Sequence, residues 1–160
     1  MTSPRLAIFV DGANVDRASK DTGIKINYGR FRAFLAGNRA IAFANYYNSK
    51  SGDLGDQAFY SRLQTIGYRV VLGPKKVQGR SQKEVDVQIA VDMVSGAYTD
   101  LFDIALLATG DGDLAPAVRK LRSMNKTVEV ASFGKQFSMS LISAASRTID
   151  LTGSAKQFKN

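Results

Sequence analysis

The chain has no histidine, no cysteine and no tryptophan, and it has only three prolines. Without histidine and cysteine there is no imidazole base, no thiolate nucleophile, no Ser-His-Asp triad and none of the usual zinc ligand sets. No disulfide scaffold can form, which fits a cytoplasmic protein. No apolar run approaches the roughly 20 residues of a membrane span, and no secretory signal opens the chain, so neither a membrane nor export is expected. Carboxylates are nearly the only catalytic groups left. Hard, oxygen-ligated metals such as Mg²⁺ or Mn²⁺ remain compatible with them.

What is present is a basic chain of ordinary domain size. Its 160 residues and 44% hydrophobic content suffice for one core. The net charge of +8 and pI near 9.8 favour a polyanionic partner, most simply nucleic acid. Charge serving solubility alone is the bland alternative.

Strand and helix patterns alternate along the chain. Strands are read at Arg5 to Val10, Ala40 to Tyr47, Tyr68 to Leu72, Asp103 to Thr109 and Thr127 to Ser132, with a short last one at Thr148 to Leu151. Between them, Asn27 caps a helix that Gly37 ends. Asp53 to Ile66 is amphipathic, with Phe59, Leu63 and Ile66 inward. Gly73 to Gln82 reads as a loop and Lys83 to Tyr98 as the longest helix. Leu114 to Met124 is a helix that Asp113 can cap, and Phe137 to Ala145 is helical. Strands separated by helices imply βαβ units and a parallel sheet. One domain is expected over residues 1–152, with a polar, frayed tail at 153–160.

The informative feature is where the acids fall. Asp11 ends the buried run Leu6-Ala7-Ile8-Phe9-Val10, and Asp111 and Asp113 follow the run Ile104 to Thr109. In a parallel sheet the carboxyl ends of strands are where ligands bind. On a helical wheel Asp86 lies among Val87, Ala90, Met93, Val94 and Ala97, whereas Asp92 joins a polar stripe with Glu84, Gln88 and Ser95 and reads as a solvated surface acid. A charge is not buried unpartnered without a large penalty, so Asp86 points to a site, with Lys83 as the rival structural partner. Gathered carboxylates either protonate or recruit a divalent cation, which polarises phosphoryl oxygens and activates water. Asn14, three residues after Asp11, offers a neutral oxygen for a water or a phosphate. Taken singly, Asp-Gly-Ala-Asn and Asp-Gly-Asp are also ordinary turn and cap residues. The spacing fits neither a calcium loop nor a P-loop.

Cations flank these acids. Lys75, Lys76, Arg80 and Lys83 precede Asp86, and Arg119, Lys120, Arg122 and Lys126 follow Asp113. Positive charge around an acidic centre suits a polyphosphate backbone held at its phosphates. Tyr46, Tyr47 and Phe133 lie near strand ends, where aromatic rings either stack on bases or close the core.

Three segments in this order resemble the NYN domains, the LabA-like branch of the PIN-like nucleases. They are Ile8-Phe9-Val10-Asp11-Gly12-Ala13-Asn14, Lys83-Glu84-Val85-Asp86-Val87 with Val91-Asp92-Met93, and Thr109-Gly110-Asp111-Gly112-Asp113-Leu114. The resemblance implies a Rossmann-like (PIN-like) three-layer α/β/α fold with a mainly parallel sheet, strand order near 3-2-1-4-5. It implies a ribonuclease centre with Mg²⁺ or Mn²⁺ held at Asp11, Asp86 and Asp111, with Asp113 beside them, and Asn14 as the polar residue after the first acid. Asp92 matches a recurrent acid of the family. The expected partner is single-stranded RNA, contacted by Lys75, Lys76, Arg80, Lys83 and Arg119; a homodimer is left open. Two alternatives remain: a non-catalytic RNA- or protein-binding adaptor, and a small phosphohydrolase acting on nucleotides.

Overall fold

Leu6 to Val10 are buried on both faces of their strand, as a continuous apolar run in the middle of a parallel sheet requires. The computed structural model of the chain describes residues 2–50, 54–75 and 81–160. Its strands are β1 (Arg5–Asp11), β2 (Ala40–Lys50), β3 (Arg69–Lys75), β4 (Ile104–Ala108), β5 (Thr127–Ser132) and β6 (Arg147–Asp150). All neighbouring pairs are parallel, in the order 3-2-1-4-5-6. The expected order is present, and the short last strand extends it by one.

Alternation along β1 sorts the helices into layers. Leu6, Ile8 and Val10 pack with residues of α1 (Gly12–Thr22), α2 (Tyr28–Ala36) and α3 (Leu54–Ile66), including Val15, Phe31 and Leu63. Ala7 and Phe9 face α4 (Ser81–Tyr98), α5 (Ala115–Ser123) and α6 (Met139–Ala144), through Val85, Ile89, Met93, Val118 and Leu141. Phe9 meets Phe43 and Phe102 edge-on at 5.6 and 5.8 Å. Truncating such a ring to alanine costs about 3–5 kcal/mol. From β1 the chain winds outward to β2 and β3, then returns through α4 to β4 on the other side of β1. The direction of winding reverses between β1 and β4, which makes their carboxyl ends a topological switch point.

Several local expectations change. Ile66 at the end of α3 is 39% exposed, while Tyr60 and Leu63 are buried there. The buried row of α4 is Val85, Ile89, Met93 and Ala97, with Val87 61% and Val91 51% exposed. A 3-10 turn, Gly112–Leu114, precedes α5, so the capping carboxylate is Asp111 rather than Asp113. The tail is not frayed. Phe158 is fully buried against Phe31, Phe34 and Phe133. The Asn27 N–H donates to the Phe158 carbonyl (2.9 Å) and the Asn160 N–H to the Lys25 carbonyl (2.8 Å). One aromatic ring and two backbone hydrogen bonds therefore dock a stretch whose composition is otherwise polar.

Candidate metal centre

Asp11 closes β1 and is fully buried. Its odd position directs it toward the α4 layer, following Ala7 and Phe9. The backbone turns at once into α1, for which Asp11 is the N-cap: one carboxylate oxygen accepts the Asn14 N–H at 3.3 Å. The other accepts the Thr109 hydroxyl at 2.9 Å. Gly12 is a requirement of space here, because a Cβ would collide with the Tyr46 ring and the Tyr47 carbonyl.

Asp111 follows β4 and caps the 3-10 turn, accepting the Asp113 N–H at 2.9 Å. Its own N–H donates to the Thr109 hydroxyl oxygen at 3.2 Å. Thr109 thus bridges the two strand ends, accepting from Asp111 and donating to Asp11. Asn14 makes a second bridge, since its side-chain oxygen accepts the Gly110 N–H at 2.9 Å. That oxygen is therefore engaged in holding the two loops together. Asp86 enters from the first turns of α4, half-buried beside the row that packs on the sheet.

These placements bring one carboxylate oxygen from each of Asp11, Asp86 and Asp111 within 4.8 Å of the others. Like charges at that spacing repel by roughly 3–4 kcal/mol per pair at an effective dielectric of about 20. Burial, reinforced by the charge on Asp111, raises the Asp11 pKa above the usual carboxylate range; the Thr109 hydroxyl and Asn14 N–H act against that rise. Among the described residues no ion pair reaches Asp11 or Asp111. An all-oxygen donor set with this charge conflict suits a hard divalent cation such as Mg²⁺ or Mn²⁺.

The remaining candidates separate from this trio. Asp113 is exposed and lies outside it; with Lys83, Asp86, Val87, Ala90 and Leu114 it lines an adjoining cavity of about 250 Å³. Asp92 is half-buried rather than solvated, accepting the Tyr47 hydroxyl (2.9 Å) and the Gln88 amide (2.8 Å) away from the trio. Tyr46, Tyr47 and Phe133 are buried in the core, so their rings are not available to bases. Lys76 and Arg80 lie outside the described residues, and Lys75 enters only as the last residue of β3. Lys83 and Arg119 are exposed. The bridging role of Thr109 is not evident from the sequence; its only signal there is its position between a buried strand and Gly-Asp.

The family model for the NYN domain matches residues 5–152, spanning all three motif segments and all six strands. The chain belongs to the NYN domain family. This NYN domain is 29% identical to the low amplitude and bright protein LabA of Synechococcus elongatus, covering 92% of this chain and 83% of that one. Its fold matches a crystal structure of a Vibrio parahaemolyticus protein of unknown function, with a TM-score of 0.85 and 25% identity over 99% of this chain and 97% of the other. Among the described residues no helix of the NYN domain is long and apolar enough to cross a membrane.

Proposed function

We propose that this NYN domain is a divalent-metal-dependent ribonuclease that hydrolyses phosphodiester bonds in single-stranded RNA. The observation that carries the reading is the approach of Asp11, Asp86 and Asp111 to within 4.8 Å at the switch point of the sheet. These three would hold Mg²⁺ or Mn²⁺, with Asp113 at the rim. A bound ion would lower the pKa of a water and offset charge on the phosphoryl oxygens. Asp11 supplies a carboxylate whose position is fixed on both oxygens, by Asn14 and Thr109. Asn14 and Thr109 act as positioning residues, locking the loop after β1 to the loop after β4. Lys83 shares a cavity wall with Asp86, which supports a role for it in meeting a backbone phosphate.

The test is cleavage of unstructured RNA by wild type and Asp11→Asn, with Mn²⁺ and with EDTA, beside a binding assay. The expected result is metal-dependent cleavage by wild type and binding without cleavage by the variant. Cleavage that persists in EDTA, or a variant as active as wild type, overturns the mechanism. RNA binding with no cleavage by either protein moves the domain to the adaptor class.

A further inference from the structure

A groove of about 370 Å³ runs between α5 and α6, lined by Arg119, Arg122, Ser140, Ser143 and Ala144. The two arginines lie one turn apart on α5 and the two serines one turn apart on α6, so each pair shares a helix face. Among the described residues no carboxylate lines it. Among the described residues neither guanidinium is in an ion pair. Arg122 is tethered, since one of its terminal nitrogens donates to the Ala144 carbonyl at 3.0 Å, and its other N–H groups keep a fixed direction. The Ser140 hydroxyl lies 2.7 Å from that of Ser138.

The groove adjoins the acidic trio. Gly112 stands between Asp111 and Asp113, and a Cβ there would collide with the Ser138 and Ser140 hydroxyls. The backbone of the turn that carries Asp111 thus rests against the mouth of the groove. Two cationic forks facing two hydroxyls, with no acid between them, suit a ligand that is anionic and offers only acceptor oxygens. A phosphodiester is such a ligand.

We propose that the groove between α5 and α6 is a phosphate subsite for the RNA chain, holding a phosphate next to the one cut at the acidic trio, with Arg119 as its untethered charge. The substrate is then an extended polynucleotide rather than a mononucleotide. The proposal rests on the ribonuclease reading for the polymer and for which phosphate is cut; the groove's hold on a phosphate is tested in EDTA, apart from cleavage. Arg119 is exposed and, among the described residues, in no ion pair, so its removal should leave the fold intact.

The experiment titrates salt against binding of a short unstructured RNA in EDTA, for wild type, Arg119→Gln and Lys120→Gln, the last as a neighbour outside the groove. Arg119→Gln should weaken binding roughly fivefold to tenfold at low salt, the scale of one net hydrogen bond. It should also flatten the log–log salt slope by about 0.7, the share of one single-strand phosphate. Lys120→Gln should leave the slope near wild type. With Mn²⁺, Arg119→Gln should raise KM for the long RNA in proportion to the weakened binding and change kcat less than KM. An unchanged slope in Arg119→Gln, an equal loss in Lys120→Gln, or no binding by wild type overturns the subsite. A flattened slope without cleavage by wild type sinks the ribonuclease reading alone.

Discussion

Carboxylates stand at both edges of the β1–β4 pair, and the two edges treat them in opposite ways. At the entry edge, Asp103 accepts the Arg5 N–H at 2.7 Å and its guanidinium at 3.2 Å, while Asp100 takes Arg5 at 3.0 Å and Lys126 at 2.6 Å. Hydrogen bonds from Arg5 hold Asp103 down to a pKa of about 2. At the exit edge, Asp11, Asp86 and Asp111 gather with one another, and Asp11 is pushed above the usual range. The entry edge is arranged so that charge helps folding. At the exit edge folding disfavours the charge on Asp11, an arrangement expected of a site whose ligand offsets the conflict.

The sharpest way to break this comparison is to neutralise one acid at each edge. Asp11→Asn, Asp86→Asn and Asp111→Asn should each lower Mn²⁺-dependent cleavage by on the order of a hundredfold or more, the scale of losing one preorganised electrostatic contact. Asp103→Asn should leave cleavage close to wild type. Initial rates at saturating Mn²⁺ decide it, and equal losses at the two edges would remove the functional distinction.

Stability should change in the reverse sense. Asn keeps the shape of Asp11 and can still cap α1, while the Thr109 hydroxyl turns to accept. In metal-free protein Asp11→Asn should therefore raise the melting midpoint, by about 2–4 °C for each kcal/mol of relieved repulsion in a chain of this size. Asp103→Asn should lower it. Calorimetry in EDTA checks both signs. A loss of stability in Asp11→Asn would mean that Asp11 is a structural acid.

The acids at the strand ends are legible in the sequence because a buried parallel strand is a continuous apolar run, and whatever ends it must lie at the sheet edge. The order of the inner strands does not follow from those runs and is implied by the family resemblance instead. The face of α4 is harder to read, because this helix carries valine on both sides. Val85 is buried and Val87 and Val91 are exposed, so apolar periodicity does not select a face. Asp86 reaches the trio from beside the buried row rather than from the middle of it. Asp92 is held by Tyr47, a residue distant in sequence, and no local pattern announces that contact. The same holds for Phe158, a lone ring in a polar stretch whose partners come from α2 and the segment after β5. Asp-Gly-Asp fits two capping registers, and the 3-10 turn that selects Asp111 depends on packing against Ser138 and Ser140.

Acid titration should separate the two edges in one experiment. The folded-state pKa of Asp11 is raised, so without metal the folded protein holds its proton where the unfolded chain has released it. Its contribution falls as pH rises from the ordinary value of 3.8 through the raised one, and is restored on acidification. Asp103 behaves oppositely. Its pKa is lowered, so its contribution is complete above 3.8 and is lost as pH falls from there toward about 2. Urea unfolding across this range in EDTA should show a rise in stability as pH falls through the raised Asp11 pKa, then a fall below 3.8. Asp11→Asn should lack the rise and keep the fall, whereas Asp103→Asn should keep the rise and soften the fall. Mn²⁺ should abolish the rise, because a bound cation requires ionised carboxylates.

The smallest expected effect belongs to Asp92, and it sharpens the boundary of the exit-edge site. Asp86 and Asp92 sit on the same helix six residues apart, yet only Asp86 joins the trio. Asp92 accepts the Tyr47 hydroxyl and the Gln88 amide, and Asn retains an oxygen for the first while Gln88 can reorient for the second. Tyr47 pairs in register with Asp11, so any influence on the centre passes through the backbone of β2 and β1. Asp92→Asn should therefore cost about 1 kcal/mol or less, the difference between a charged and a neutral acceptor for these two hydrogen bonds. Its Mn²⁺-dependent cleavage should stay near the wild-type rate, beside an Asp86→Asn protein that has lost it. The two variants are compared at several Mn²⁺ concentrations, so that weakened metal affinity shows as a shifted activation curve. A curve shifted as far by Asp92→Asn as by Asp86→Asn would place both acids at the metal and extend the site along α4 beyond the three carboxylates that now define it.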